Sequence, residues 1–217
     1  MNININTKKY WDNRFETSDW EVKNGRQQTR LFAEEQCMQL DLPRNFQGVI
    51  TDFGCGLGDA IPVYRKYFPS ARLRGYDISS AAIQKCKLKY GEFAEFRQGT
   101  EIDIMYSDVI ISSNVFEHLS DDISVAKLLL EKSKYLYIAV PYNEKILPNT
   151  EHVNTYNESS FEEFDKQICR VYITKGQGYH GLLLFWHVYL KNIIRFALGK
   201  PVAHRSKQVI FKLCSAK

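Results

Sequence analysis

The residues with most to offer chemistry are Asp52-Phe53-Gly54-Cys55-Gly56-Leu57-Gly58. They form a glycine cluster between a short apolar run at 48–53 and a helical pattern at 59–68. Glycines there permit a tight turn and let a ligand come close to the main chain. The N–H groups that open the following helix have no partners within it and favour an anionic group. Farther on, Asp77 closes a second strand-like run, where a carboxylate can accept hydrogen bonds from two ribose hydroxyls. A dinucleotide fingerprint would want a glycine where Asp59 stands. With Asp52 ahead of the turn, two acids disfavour a pyrophosphate and favour an adenosine ligand with a positive amine and sulfonium. The Gly-Lys-Ser/Thr of a phosphate loop is missing. Asp52-Phe53-Gly54 has no kinase catalytic-loop motif to accompany it.

Two histidines follow later strand patterns. His118 stands in Phe116-Glu117-His118-Leu119, and His152 in Asn149-Thr150-Glu151-His152-Val153-Asn154. Histidine titrates near neutrality and is the usual base for a hydroxyl acceptor. His118 reads first as a structural residue that ties its loop to its neighbours. His152 lies in a polar loop with Tyr142 and Asn143, where a substrate contact or a base is expected. No metal site is expected, since His180 and His187 lack companions at zinc spacing. Cys37, Cys55, Cys86, Cys169 and Cys214 are odd in number and far apart along the chain, and read as free thiols of a reducing cytoplasm.

The elements that must position these groups alternate. Strands are expected at 48–53, 72–77, 94–97, 108–112 and 134–140, with two more at 168–174 and 208–213. Helices are expected at 26–40, at 59–68, from Ser79 or Ser80 to about Tyr90, and after Ser120, Asp121 or Asp122. Ser159-Ser160-Phe161-Glu162 fits a capping box before a short helix. Strands separated by helices mean right-handed crossovers and a mainly parallel sheet covered on both faces. The 217 residues suit a single domain, 1–217, with no linker or repeat dividing it. The start is polar and has no signal-peptide core.

A net charge of +4 hides a polarised chain. From Lys166 onward there are ten basic residues and no Asp or Glu. Such an end is expected to meet an anionic partner or to form a solvated basic surface.

Taken in order, DFGCGLG, GYDIS, DVIISSNVFEHL and a strand closed by Pro141 resemble the class I S-adenosylmethionine-dependent methyltransferases. The likeness covers 48–165 and is closest to small-molecule enzymes with the Glu-His-Leu signature. It implies a Rossmann-like three-layer α/β sandwich with a seven-stranded, mostly parallel sheet whose last strand, at 208–213, is antiparallel. It implies S-adenosylmethionine as cofactor, with Asp52 and the backbone of Gly54, Gly56 and Gly58 on the methionine moiety. Asp77 would hold the ribose and Ile78 would pack on the adenine. Thr100 and Glu101 stand where the family often has an adenine-binding Asp. Ser113 and Asn114 would lie beside the methionine and the transferred methyl. The N-terminal region, 1–45, resembles segments that cover the cofactor, with Trp11 closing over it and Arg26 pairing with a carboxylate. Trp20 reads as an anchor on the core.

The segment 180–205 is a helical insert, and 181–199 is apolar except for a stripe of His187, Lys191 and Arg195 with Asn192 beside it. That charge argues against a membrane span. Three placements remain open: a membrane surface, a homodimer interface, or extra core beside the acceptor pocket. The expected activity is methyl transfer to a small molecule or a glycan or lipid-linked intermediate, at oxygen rather than nitrogen. The segment also loosely resembles the tails of methyltransferases in cell-surface polysaccharide pathways. The alternatives are a nucleic-acid acceptor, motivated by the basic end, and a non-catalytic cofactor-binding module. Against nucleic acid, Ser113-Asn114-Val115-Phe116 replaces the Asn/Asp-Pro-Pro-aromatic motif of base-amino enzymes.

Overall fold

A computed structural model describes residues 5–146, 151–175, 182–200 and 207–215. Three helices come first: α1 (Lys8–Glu16), α2 (Asp19–Val22) and α3 (Gly25–Cys37). Strands and helices then alternate through β1 (Val49–Phe53), α4 (Ile61–Tyr67), β2 (Arg72–Asp77), α5 (Ser80–Tyr90), β3 (Glu95–Gln98), β4 (Ser107–Ser113), α6 (Asp122–Glu131) and β5 (Ser133–Pro141). The chain closes with β6 (Ile168–Lys175), α7 (Leu182–Ala197) and β7 (Lys207–Cys214).

All seven strands join one sheet in the order β3-β2-β1-β4-β5-β7-β6. The first five pair in parallel. Strand β7 inserts antiparallel between β5 and β6, as the expected last strand should. Successive strand residues serve opposite faces because side chains alternate. Val109 and Ile111 belong to the core under α3, α4 and α5. Their neighbour Ile110 belongs to the core under α6, with Leu136, Ile138 and Val140. The strand order reverses between β1 and β4, so the crevice beyond their carboxyl ends is where such a sheet binds ligands.

Two expectations need correction. Ser159 and Ser160 do not cap the short helical run Glu162–Gln167, whose cap position is Phe161. Asn157 organises this turn instead: its Oδ1 accepts from the Ser159 N–H, and its own N–H donates to Ser160 Oγ, at 2.9 and 2.8 Å. Cys169 and Cys214 are a disulfide, with Cα atoms 6.1 Å apart, because β6 and β7 lie side by side. Cys37, Cys55 and Cys86 are free and buried. No helix among the described residues is long and apolar enough to cross a membrane. Helix α7 leaves Tyr189, Leu190, Ile193, Ile194 and Phe196 exposed, so these residues are not extra core within this chain.

Candidate active site

At the end of β1 the chain turns through Gly54, Gly56 and Gly58, all with positive φ (76°, 50° and 72°). Each conformation is costly for a residue with a Cβ. The three glycines serve different ends. A Cβ on Gly54 would stand 2.2 Å from Val115 Cγ2, so this turn fits tightly under the loop after β4. A Cβ on Gly56 would meet only the Phe15 ring, at 3.5 Å, on the wall of a cavity of about 390 Å³. A Cβ on Gly58 would press on Cys86, Tyr90 and Phe96, inside the core. Gly54 and Gly56 line the cavity and Gly58 does not.

Asp77, at the end of β2, locks the turn. Its two oxygens accept from the Gly56 and Ser79 N–H groups, both at 2.8 Å. Asp52 and Asp77 both line the cavity and are almost fully buried. Burial raises the Asp77 carboxyl to about 6 against those two hydrogen bonds. Burial, reinforced by the charge of Asp77, raises Asp52 to about 7. Near neutrality this pair is poorly compensated, an environment that welcomes a cation.

These shifts make a stability prediction. A raised carboxyl pKa means that the folded chain holds protons which the unfolded chain releases. The contribution is therefore complete below the ordinary carboxylate range and is lost as pH rises through about 6 and 7. Asp12 has the opposite sign. Its burial is outweighed by hydrogen bonds from Lys8, Ser79 and Ala81, which bring it down to about 2. Its contribution is present above the ordinary carboxylate range and disappears as pH falls through about 2. Ligand-free protein is expected to lose stability between about pH 4 and 7, and Asp52→Asn to flatten that loss. Thermal denaturation across this range checks it; an undiminished loss in the variant removes Asp52 as a cause.

The N-terminal helices pack against this end of the sheet. Asp12 holds α1 on the N-terminus of α5, accepting from Ser79 Oγ at 2.7 Å and the Ala81 N–H at 3.1 Å. An acid at a helix N-terminus meets orphan N–H groups and the positive end of the dipole. Phe15 packs with Leu57 and Ala82, with Trp11 and Trp20 against them. Both tryptophans line the cavity, Trp20 in addition to its anchoring contacts. Arg26 does not reach the cavity lining. It binds Asp59 Oδ2 at 2.9 Å and Glu21 at 3.3 Å, and Arg30 and the Tyr90 hydroxyl take Asp59 Oδ1 at 3.0 and 2.7 Å. Asp59, 1% exposed, is therefore committed to a structural cluster rather than to a ligand.

Ile78, Thr100, Glu101, Ser113 and Asn114 also line the cavity. Thr100 caps a short turn with Asp103, whose carboxylate accepts from the Thr100 N–H at 2.9 Å. Two glutamines not singled out in the sequence set the groups after β4. Gln36 of α3 donates to Ser113 Oγ at 2.6 Å, and Gln208 of β7 donates to Asn114 Oδ1 at 2.8 Å. Glutamine has no local pattern that announces such a contact.

His118 and His152 line the same cavity, as do Glu117, Glu144 and Glu151. Their rings meet edge to face at 4.9 Å, and Trp11 lies 5.0 Å from His118. His118 Nδ1 is 3.1 Å from the Glu151 carbonyl. His152 Nδ1 is 2.5 Å from Glu144 Oε2. Burial lowers His118 to about 4, so it is neutral near neutrality, while the Glu144 carboxylate raises His152. Tyr10 and Arg14 both bind the Glu151 carboxylate, tying α1 to this loop. The spacing along the sequence predicts no metal site, and the structure adds one candidate cluster among the described residues. Ligand atoms of Glu117, His118 and His152 all lie within 4.8 Å of one another. His180, which that expectation weighed, lies outside the described residues.

Residues 51–132 match a family described as a methyltransferase domain. The chain resembles the plantazolicin methyltransferase BpumL in complex with a triazolic desmethyl analogue and SAH. That match has TM-score 0.64 and 17% identity, covering 96% of this chain and 94% of the other. It also resembles coclaurine N-methyltransferase bound to N-methylheliamine and SAH, with TM-score 0.61 and 10% identity over 86% of this chain and 72% of the other. A third likeness is to a complex of a Haloferax volcanii methyltransferase activator with a putative methyltransferase. It has TM-score 0.66 and 14% identity, over 95% and 97% of the two chains.

Proposed function

We propose that this chain, whose residues 51–132 match a methyltransferase domain, is an S-adenosylmethionine-dependent methyltransferase that methylates an oxygen of a small molecule or of a glycan or lipid-linked intermediate. The observation that carries the reading is one cavity lined by two unlike groups of residues. One is the Gly54–Gly56 turn with Asp52 and Asp77, and the other is the His118–His152 pair. The first group fits S-adenosylmethionine. The missing Cβ of Gly56 leaves open space at the cavity wall, and two buried carboxylates suit a ligand with a positive amine and sulfonium. Asp52 and the Gly54 and Gly56 backbone would hold the methionine part, Asp77 the ribose, and Ile78, Thr100 and Glu101 the adenine side. Ser113, Asn114 and Trp11 would border the methyl group. The bound cofactor supplies an electrophilic methyl on a sulfonium; the protein aligns and desolvates the reactants.

An amine acceptor needs little further help, whereas a hydroxyl must lose a proton. Two imidazoles and three glutamates lining the cavity therefore favour oxygen. We assign His118 and His152 to the acceptor's oxygen. The exposed apolar residues of α7 and the basic end support a contact of 181–199 with an anionic membrane surface or a second copy of the chain.

The test is incubation with methyl-labelled cofactor and fractionated metabolite, glycan and RNA extracts. Label is expected in a small-molecule or glycan fraction, in a linkage that resists conditions cleaving methyl esters. Label in RNA alone overturns the acceptor class. Cofactor binding with no label in any fraction overturns catalysis on these acceptors.

A further inference from the structure

We propose that Glu117, His118 and His152 form a binding site for a divalent transition cation, which in turn holds the acceptor's oxygen. The proposal deepens the oxygen-methylation reading and rests on it for the role of the ion, but not for its binding.

Three observations converge. The first is geometric: one ligand atom from each residue lies within 4.8 Å of the other two, close enough for a single ion to touch all three. The second is the state of Glu117. It is 1% exposed, and both its carboxylate oxygens are buried with no hydrogen-bond partner among the described residues. A buried carboxyl without a donor is costly, and something must compensate it. The neighbouring imidazoles do not donate to it, and their own contacts explain why.

That is the third observation. The Nδ1 atoms of both rings face oxygen acceptors, His118 the Glu151 carbonyl at 3.1 Å and His152 the Glu144 carboxylate at 2.5 Å. A ring that gives its Nδ1–H away presents the Nε2 lone pair, the tautomer that ligates metals. A carbonyl or carboxylate behind each histidine is the usual arrangement that orients such a ligand and raises its basicity. Two imidazole nitrogens and one carboxyl oxygen form a mixed donor set, suited to ions such as Zn²⁺, Mn²⁺ or Fe²⁺ rather than to the oxygen-only preference of Ca²⁺.

Three protein ligands leave positions open for substrate. The cluster lines the same cavity as the glycine turn, so an ion there would bind an acceptor hydroxyl facing the cofactor. The ion draws electron density from the oxygen, the O–H bond breaks, the proton goes to water and the electron pair stays on oxygen. The two loops that supply the ligands are already tied together, since the Glu117 carbonyl accepts from the Val153 N–H at 2.7 Å. The sequence hides the site because Glu117 and His118 are adjacent while His152 comes from the loop after β5.

The test is titration calorimetry of chelator-treated protein with ZnCl₂ and MnCl₂, without cofactor, alongside separate titration with S-adenosylmethionine. One ion per chain is expected. Affinity should fall by roughly 10–100-fold in Glu144→Gln, which alters only the group behind His152, and further in His152→Ala and Glu117→Gln. Cofactor affinity should stay within a few-fold in the half-buried His152→Ala variant, which reads out folding if Glu117→Gln unfolds. The proposal falls if wild-type protein binds neither ion at millimolar concentration, or if His152→Ala binds as tightly as wild type. Cofactor binding and label transfer without any ion would overturn the cation site and leave the methyltransferase reading. Ion binding without transfer to any acceptor would do the reverse.

Discussion

Gly56→Val is expected to abolish S-adenosylmethionine binding while leaving a folded protein, and Gly54→Ala to damage the fold itself. The contrast comes from what surrounds each position. At Gly56 the added side chain would project beside the cavity, with Phe15 its nearest neighbour at 3.5 Å, so it would fill ligand space more than core space. At Gly54 the added Cβ would lie 2.2 Å from Val115 and carry a φ of +76°. Positive φ and overpacking together cost about 2–5 kcal/mol, a large share of a typical domain's stability. Denaturant unfolding and calorimetry separate the two outcomes. A folded Gly56→Val with normal affinity would move the cofactor away from this turn. A Gly54→Ala as stable as wild type would mean that the loop at Val115 yields easily.

The second large effect is expected at Asp77. Asp77→Ala should weaken cofactor binding by roughly 1–3 kcal/mol, since two hydroxyls would lose a charged acceptor. Part of that loss is internal to the protein. The Gly56 and Ser79 N–H groups would also lose their acceptor, loosening the turn that shapes the cavity. Asp77→Asn distinguishes the contributions: it keeps one acceptor oxygen but removes the charge that burial holds near a pKa of about 6. Calorimetry showing wild-type affinity in Asp77→Ala would remove this residue from the site.

What the sequence determined by itself is local. Alternating apolar runs with capped helices between them imply a parallel sheet, and the first five strands lie within a residue or two of their expected positions. The turn after β1 was legible because only glycine takes its three positive φ values without cost. Asp77 was legible because a strand end has a fixed place relative to that turn. The methyltransferase-like fold followed from the order of these motifs.

What the tertiary structure decided depends on which side chains the crossovers bring together. The resemblance implies ligand contacts at Gly58 and Arg26; in the structure Gly58 packs by Cys86 and Phe96, and Arg26 binds Asp59. Cys169 and Cys214 are 45 residues apart in sequence and adjacent in space because two antiparallel strands pair. Gln36 and Gln208 come from opposite ends of the chain to set Ser113 and Asn114. Glu117, His118 and His152 become one cluster only when the loops after β4 and β5 meet at the edge of the cavity. Periodicity and turn chemistry act over a few residues and can be read in order. Convergence of side chains depends on strand order and loop paths, which no window of sequence contains.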